Sequence, residues 1–167
     1  MHKVQNSKKR RLAGAMVAMF AASLTVASVA TAATNVNQPG SVCKNFIPAE
    51  AGNMDYYANG IRSTKAGATR IVCPVTRPVA FLNGGATFWI DVKHVTTQTT
   101  TCTAFSHAAG GRLLASNSGS FTGIGVGSIR IDVRGTGLSD FTSDFSVLCT
   151  IPGSGQGLLS GVHTNEF

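Results

Sequence analysis

Polar and apolar residues alternate with a period of two along much of this chain, and no other feature constrains its fold as strongly. In residues 86–95, Phe88, Ile90, Val92 and His94 fall on one side of an extended backbone and Thr87, Trp89, Asp91 and Lys93 on the other. Residues 128–134 repeat the pattern, with Ile129, Ile131 and Val133 opposed to Arg130 and Asp132. Phe145, Val147, Cys149 and Ile151 make a further apolar face, stopped by Pro152-Gly153. Residues 97–107 set Cys102 and Ala104 against Thr97, Thr99, Thr101 and Thr103, and Ala109-Gly110-Gly111 turns them into 112–116 as a hairpin. A last strand is expected near 157–164, with shorter ones at 55–62 and 69–75. Helical periodicity never extends beyond a turn or two, and glycines punctuate the β-rich runs. About eight short strands and no helix predict an antiparallel β-sandwich of the jelly-roll kind.

The N-terminus has a different character. Lys3, Lys8, Lys9, Arg10 and Arg11 precede an uncharged, Ala-rich run over 12–30, which leads to Ala30-Thr31-Ala32. A basic head, an apolar stretch and an A-x-A site describe a secretory signal peptide, with the cut expected after Ala32. The alternative is an uncleaved anchor, but Ala, Ser and Thr leave the run weakly hydrophobic. No lipobox precedes Cys43, and Arg10-Arg11 followed by Leu-Ala-Gly suits general secretion better than a twin-arginine route. Residues 33–42 are polar and turn-rich and are expected to be a flexible lead-in, with one domain over 43–167.

Export changes the meaning of the charge. The chain has 14 basic and 7 acidic residues, but five of the basic ones and none of the acids lie within residues 1–32. The remaining 135 residues therefore carry a net charge of only +2, with the basic side chains scattered. A nucleic-acid partner is not expected. An outer-membrane barrel is excluded by the many outward Thr, Asp, Arg and Lys residues. Export also places Cys43, Cys73, Cys102 and Cys149 in an oxidising compartment, where an even count argues for two disulfides. Three connectivities are possible, of which Cys43–Cys73 with Cys102–Cys149 is favoured. They would close loops of about 30 and 47 residues, worth roughly 3.5 to 4 kcal/mol each in the chain-entropy model. The Cys and Pro positions suit two sheets tied across a core. No C-x-x-C pair supports zinc or redox chemistry.

The run Cys43…Asp55-Tyr56…Gly60-Ile61-Arg62…Val72-Cys73-Pro74-Val75…Arg77, with Thr101-Cys102-Thr103 and the ending 146–152…157–162…Glu166, resembles a group of small secreted bacterial proteins. The resemblance implies export, two disulfides and a bacterial source. It carries over no activity and no catalytic residue. The closing strands also look like those of carbohydrate-binding jelly rolls, an analogy at the level of fold.

Few constellations suit catalysis. After residue 32 the only acids are Glu50, Asp55, Asp91, Asp132, Asp140, Asp144 and Glu166. Asp140 and Asp144 share a Ser/Thr-rich turn, where acids usually serve the turn and solubility. No G-x-S-x-G elbow is present, although a dispersed triad needs none. His94, on an apolar strand face, reads as a half-buried, hydrogen-bonded histidine. His107 and His163, without an evident acid partner, read as surface positions. Gly123-x-Gly125-x-Gly127 and Gly153-x-Gly155-x-Gly157 open no helix and read as flexible turns. No metal or cofactor is required. Asn53, Asp55, Asp140 and Asp144 offer oxygens for a structural calcium as a minor alternative. The Thr97, Thr99, Thr101 and Thr103 row has no repeat expected on neighbouring strands and reflects β-propensity.

Trp89, the sole tryptophan, is the most suggestive position. Alternation sets it outward beside Asp91 and Lys93, where an aromatic could stack on a sugar ring or anchor a partner. The bland alternative is that it packs under a loop or between sheets. The residues together suit a non-catalytic binding module, secreted or at the cell surface, with carbohydrate or envelope material as ligand. No membrane span would remain after cleavage, and periplasm and medium are both allowed. The alternatives are a small secreted hydrolase and a structural or protein-interaction protein of the envelope.

Overall fold

The computed structural model describes residues 35–77, 85–108, 110–134 and 144–167. The expected signal peptide, its cleavage after Ala32, Ala109 of the hairpin turn and Asp140 lie outside them. Among the described residues, nine antiparallel strands run in order: β1 (Asn35–Pro39), β2 (Lys44–Asn45), β3 (Met54–Tyr57), β4 (Gly60–Ser63), β5 (Thr69–Val75), β6 (Ala86–His107), β7 (Leu113–Val133), β8 (Asp144–Ile151) and β9 (Gly157–Glu166). Short 3-10 turns at Gly40–Val42 and Pro48–Asn53 are the only helical pieces among the described residues.

The segments expected as separate strands at 86–95 and 97–107 are one strand of 22 residues, paired along its length with the 21-residue β7. The hairpin is long, but it is not straight. Val95, Thr96 and Thr97 are all exposed, which breaks the alternation. There the register jumps: His94 faces Gly125 but Gln98 faces Gly123, so β6 holds two extra residues as a bulge. Gly123 and Gly125, at φ 155° and 89°, supply the matching bend on β7. The Gly123-x-Gly125-x-Gly127 run is therefore a corner within a strand, not the inter-strand turn the sequence suggests.

That corner folds one continuous hydrogen-bonded sheet into two layers, the first and the second sheet of the fold. Before it, β6 pairs with β9 over residues 86–94, and β9 in turn pairs with β1 and with the β4–β3 hairpin. Beyond it, β6 pairs with β8 over 101–107, followed by β5 and β2. The two halves of β7 fold back on each other: Asn117 donates from Nδ2 to the carbonyl of Asp132 at 2.8 Å. A side chain at Gly119 would meet Ile129 at 2.8 Å. The result is an antiparallel β-sandwich of jelly-roll type, as the alternation predicts.

The core lies between the sheets. Phe88, Ile90, Val92, Ile129 and Ile131 enter it from the first, and Ile71, Val147, Ile151 and the cysteines from the second. Phe88 meets Phe145 across it edge-on, ring centres 5.4 Å apart. His94 is buried at the corner: its Nδ1 donates to the Gly123 carbonyl at 3.0 Å, so Nε2 accepts from the Thr100 hydroxyl at 2.8 Å. It is the hydrogen-bonded core histidine expected, more deeply buried than foreseen.

Cys43 is bonded to Cys73 and Cys102 to Cys149. Neither bond crosses the core. Cys102 and Cys149 are register partners on adjacent strands, and Cys43 precedes Lys44, which pairs with Val72. Cysteines directly opposite in an antiparallel ladder are already neighbours, so both bonds staple strands within the second sheet. An ion pair is among the contacts between the sheets. Arg77 donates from Nη2 to Glu166 Oε2 at 2.8 Å, with side chains only 9% and 1% exposed.

One further expectation is corrected. Residues 35–42 are not a free lead-in: β1 pairs with β9 from Asn35↔Asn165 to Pro39↔Gly161, satisfying an edge that would otherwise be open. The threonine row, not repeated as threonines, nevertheless faces hydroxyls on β7. Thr99 hydrogen-bonds Thr122 and Thr103 hydrogen-bonds Ser118, both at 2.8 Å, while Thr101 faces Ser120. Such cross-strand hydroxyl pairs stabilise an exposed hairpin face.

Candidate functional site

The outer face of the first sheet holds Trp89, Asp91 and Lys93, because each alternates with a core residue of β6. Trp89 is half-buried and lies outside the core, not between the sheets. In register, Trp89 stands between His163 of β9 and Arg130 of β7. The Arg130 guanidinium carbon lies over the indole, 6.0 Å from its centre. Its Nε and Nη2 each reach Asp132 at 3.2 Å, and Thr87 donates to the same carboxylate at 2.7 Å. These donors, the Thr87 hydroxyl first and Arg130 second, hold the Asp132 carboxyl below its ordinary pKa. Asp132 is therefore an anion that fixes Arg130 against Trp89.

Asp91 is joined to this group through a histidine. His163 donates from Nε2 to Asp91 Oδ2 at 2.6 Å, and its Nδ1 hydrogen-bonds the Asn37 side chain at 2.8 Å. Both partners are only about one-third exposed, 37% and 36%. Gly161, opposite Asp91, leaves room for the pair, since a Cβ there would lie 3.3 Å from Nε2. His163 thus has the acid partner that its sequence context hides. The pair is oriented, yet both ring nitrogens are engaged, and among the described residues no hydroxyl or thiol bonds either one. The nearby Ser160 hydroxyl donates instead to the Asp91 backbone carbonyl at 3.1 Å. His163 therefore activates no nucleophile among the described residues.

Lys93 points onto the same face but belongs to a neighbouring concavity. That hollow, about 240 Å³, is lined by Lys93 with Tyr57, Asn59, Arg62, Val95, Gly155 and Leu158. Trp89 and Asp91 are therefore brought together, and Lys93 is set apart. Asn37, Arg130 and His163 were missed as site residues. Only the pairing of β6 with β7 and β9, and of β9 with β1, unites them. Of the calcium candidates, Asp55 accepts from Arg62 at 2.9 Å and from the Tyr57 hydroxyl at 3.2 Å. No group of three His, Cys, Asp or Glu side chains converges among the described residues. Nor is any helix among them long and apolar enough to cross a membrane.

No family model matches the chain, and no curated protein matches it. Solved structures do. The CBM36-1 domain of a multidomain xylanase from the hindgut metagenome of Trinervitermes trinervoides aligns with a TM-score of 0.51 at 8% identity, covering 80% of this chain and 98% of that domain. The C-terminal CBM6 of LamC, a marine laminarinase from Zobellia galactanivorans, gives 0.48 at 8% identity, over 79% of this chain and 99% of its own. The first likeness establishes the β-sandwich fold.

Proposed function

We propose that this is an exported, non-catalytic carbohydrate-binding module of bacterial origin, whose ligand lies across the outer face of the first sheet. The observation that carries the proposal is Trp89 on an exposed sheet face, ringed by oriented polar side chains. Sugars present both an apolar ring face and a rim of hydroxyls. An indole covers the first, and Asn37, Asp91, His163 and Arg130 can hydrogen-bond the second. The carbohydrate-binding module of the xylanase is built on the same fold, which supports this ligand class without naming a sugar. The basic head and apolar run of residues 1–32 support export, as do the two disulfides.

The sole tryptophan makes the test direct. Titration with soluble plant and bacterial polysaccharides should give a saturable change in tryptophan fluorescence. Trp89→Ala should weaken binding, read by affinity electrophoresis, about tenfold or more, as expected for a central aromatic anchor. Binding undiminished by that substitution would sink the assignment of the site. Capture of a protein partner with no response to any glycan would favour the envelope-interaction alternative.

A further inference from the structure

We infer that the concavity beside Lys93 is a subsite for a carboxylate-bearing sugar, so that the carbohydrate bound is an acidic polysaccharide. The inference rests on the carbohydrate proposal above and names its ligand class. One cross-strand row builds the hollow: Arg62 of β4 pairs with Leu158 of β9, which pairs with Lys93 of β6. At about 4.8 Å between strands, the two basic residues stand roughly 10 Å apart across an apolar floor. Tyr57, at the end of β3, supplies an aromatic wall, and Asn59 an amide. A volume of about 240 Å³ falls below the ~300–1,000 Å³ typical of pockets for drug-sized ligands, which suits one ring better than a chain.

The charges define what the ring should carry. Arg62 is held in place, with Asp55 at 2.9 Å, the Tyr57 ring centre 5.0 Å from its guanidinium carbon and the Gly155 backbone behind it. The Arg62 hydrogen bond also keeps the Asp55 carboxyl below its ordinary pKa, so that group remains an anion. Lys93 has no hydrogen-bond or ion-pair partner among the described residues, and the nearest acid along β6, Asp91, is taken by His163. Arg62, Lys93 and Asp55 together leave one uncompensated positive charge. That balance suits a monoanionic carboxylate better than a dianionic phosphate. Leu158, Val95 and Tyr57 meanwhile suit the apolar face of the sugar that bears it. Lys93 lies four residues along β6 from Trp89, about 13 Å, on the same face. One polysaccharide chain can therefore reach both.

The test compares polygalacturonate with its fully methyl-esterified form, the same backbone without the charge, and with a sulfated galactan. Isothermal titration of the intact protein should show polygalacturonate bound about tenfold more tightly than the ester, a preference that weakens with salt. In Lys93→Gln, with its thermal melt checked against the parent, the ratio of the two affinities should fall to about one. Equal affinity for acid and ester, or a ratio untouched by Lys93→Gln, would overturn the subsite while leaving the carbohydrate proposal standing. Sulfated galactan bound as tightly as polygalacturonate would overturn the carboxylate assignment. Binding to none of the three, nor to neutral glycans, would overturn both proposals.

Discussion

Asp132 shows how a single side chain organises the site from a distance. It need not touch a ligand, because it takes the Arg130 guanidinium and the Thr87 hydroxyl and so decides where Arg130 stands over Trp89. Its pKa is depressed in the folded state, so its stabilising contribution is present above the unfolded value, about 3.9, and is lost as pH falls through the folded one. Thermal melts between about pH 2 and 6 should therefore show stability declining on the acid side. Asp132→Asn should be less stable than the parent at neutral pH and should lose part of that acid-side decline. An unchanged pH profile in the variant would show that the Thr87 and Arg130 bonds contribute nothing to folding. At this scale the sequence was partly legible. Alternation put Trp89 and Asp91 outward, but His163 lies 72 residues from Asp91, and nothing near it in the chain marks it as a partner.

At the scale of elements, the corner in the β6–β7 hairpin decides the architecture. The apolar face of residues 86–94 was legible because period-two alternation is a local property. The exchange of partners from β9 to β8 was not, since glycines serve turns and bulges alike. Gly125 allows a clean test, because its φ of 89° disfavours a side chain while nothing lies within 4 Å of where a Cβ would stand. Gly125→Ala should cost about 1–2 kcal/mol through backbone strain alone. Gly52→Ala, equally uncrowded and without a positive φ, should cost far less. Urea denaturation of the two variants makes the comparison. Equal stabilities would mean that β7 does not need its left-handed bend.

For the molecule as a whole, the sandwich followed from eight or so alternating runs without a helix, but the manner of its fastening did not. Cysteine spacing cannot distinguish a bond within a sheet from one between sheets, because it carries no strand order. Both disulfides proved to lie within the second sheet, so the layers meet through non-covalent contacts among the described residues, with the Arg77–Glu166 pair, the Phe88–Phe145 contact and the Asn117–Asp132 hydrogen bond among them. This division leaves the outer face of the first sheet free of staples, with β1, β9, β6 and β7 presenting Asn37, His163, Trp89 and Arg130 in one row. This row is the proposed carbohydrate site. Its most direct test is a two-dimensional amide NMR titration of the labelled protein with a panel of neutral and acidic oligosaccharides. Shifts should be confined to residues 35–39, 86–95, 126–133 and 155–166 together with the β3–β4 hairpin. Shifts centred on the outer face of the second sheet, or none with any oligosaccharide, would contradict this assignment.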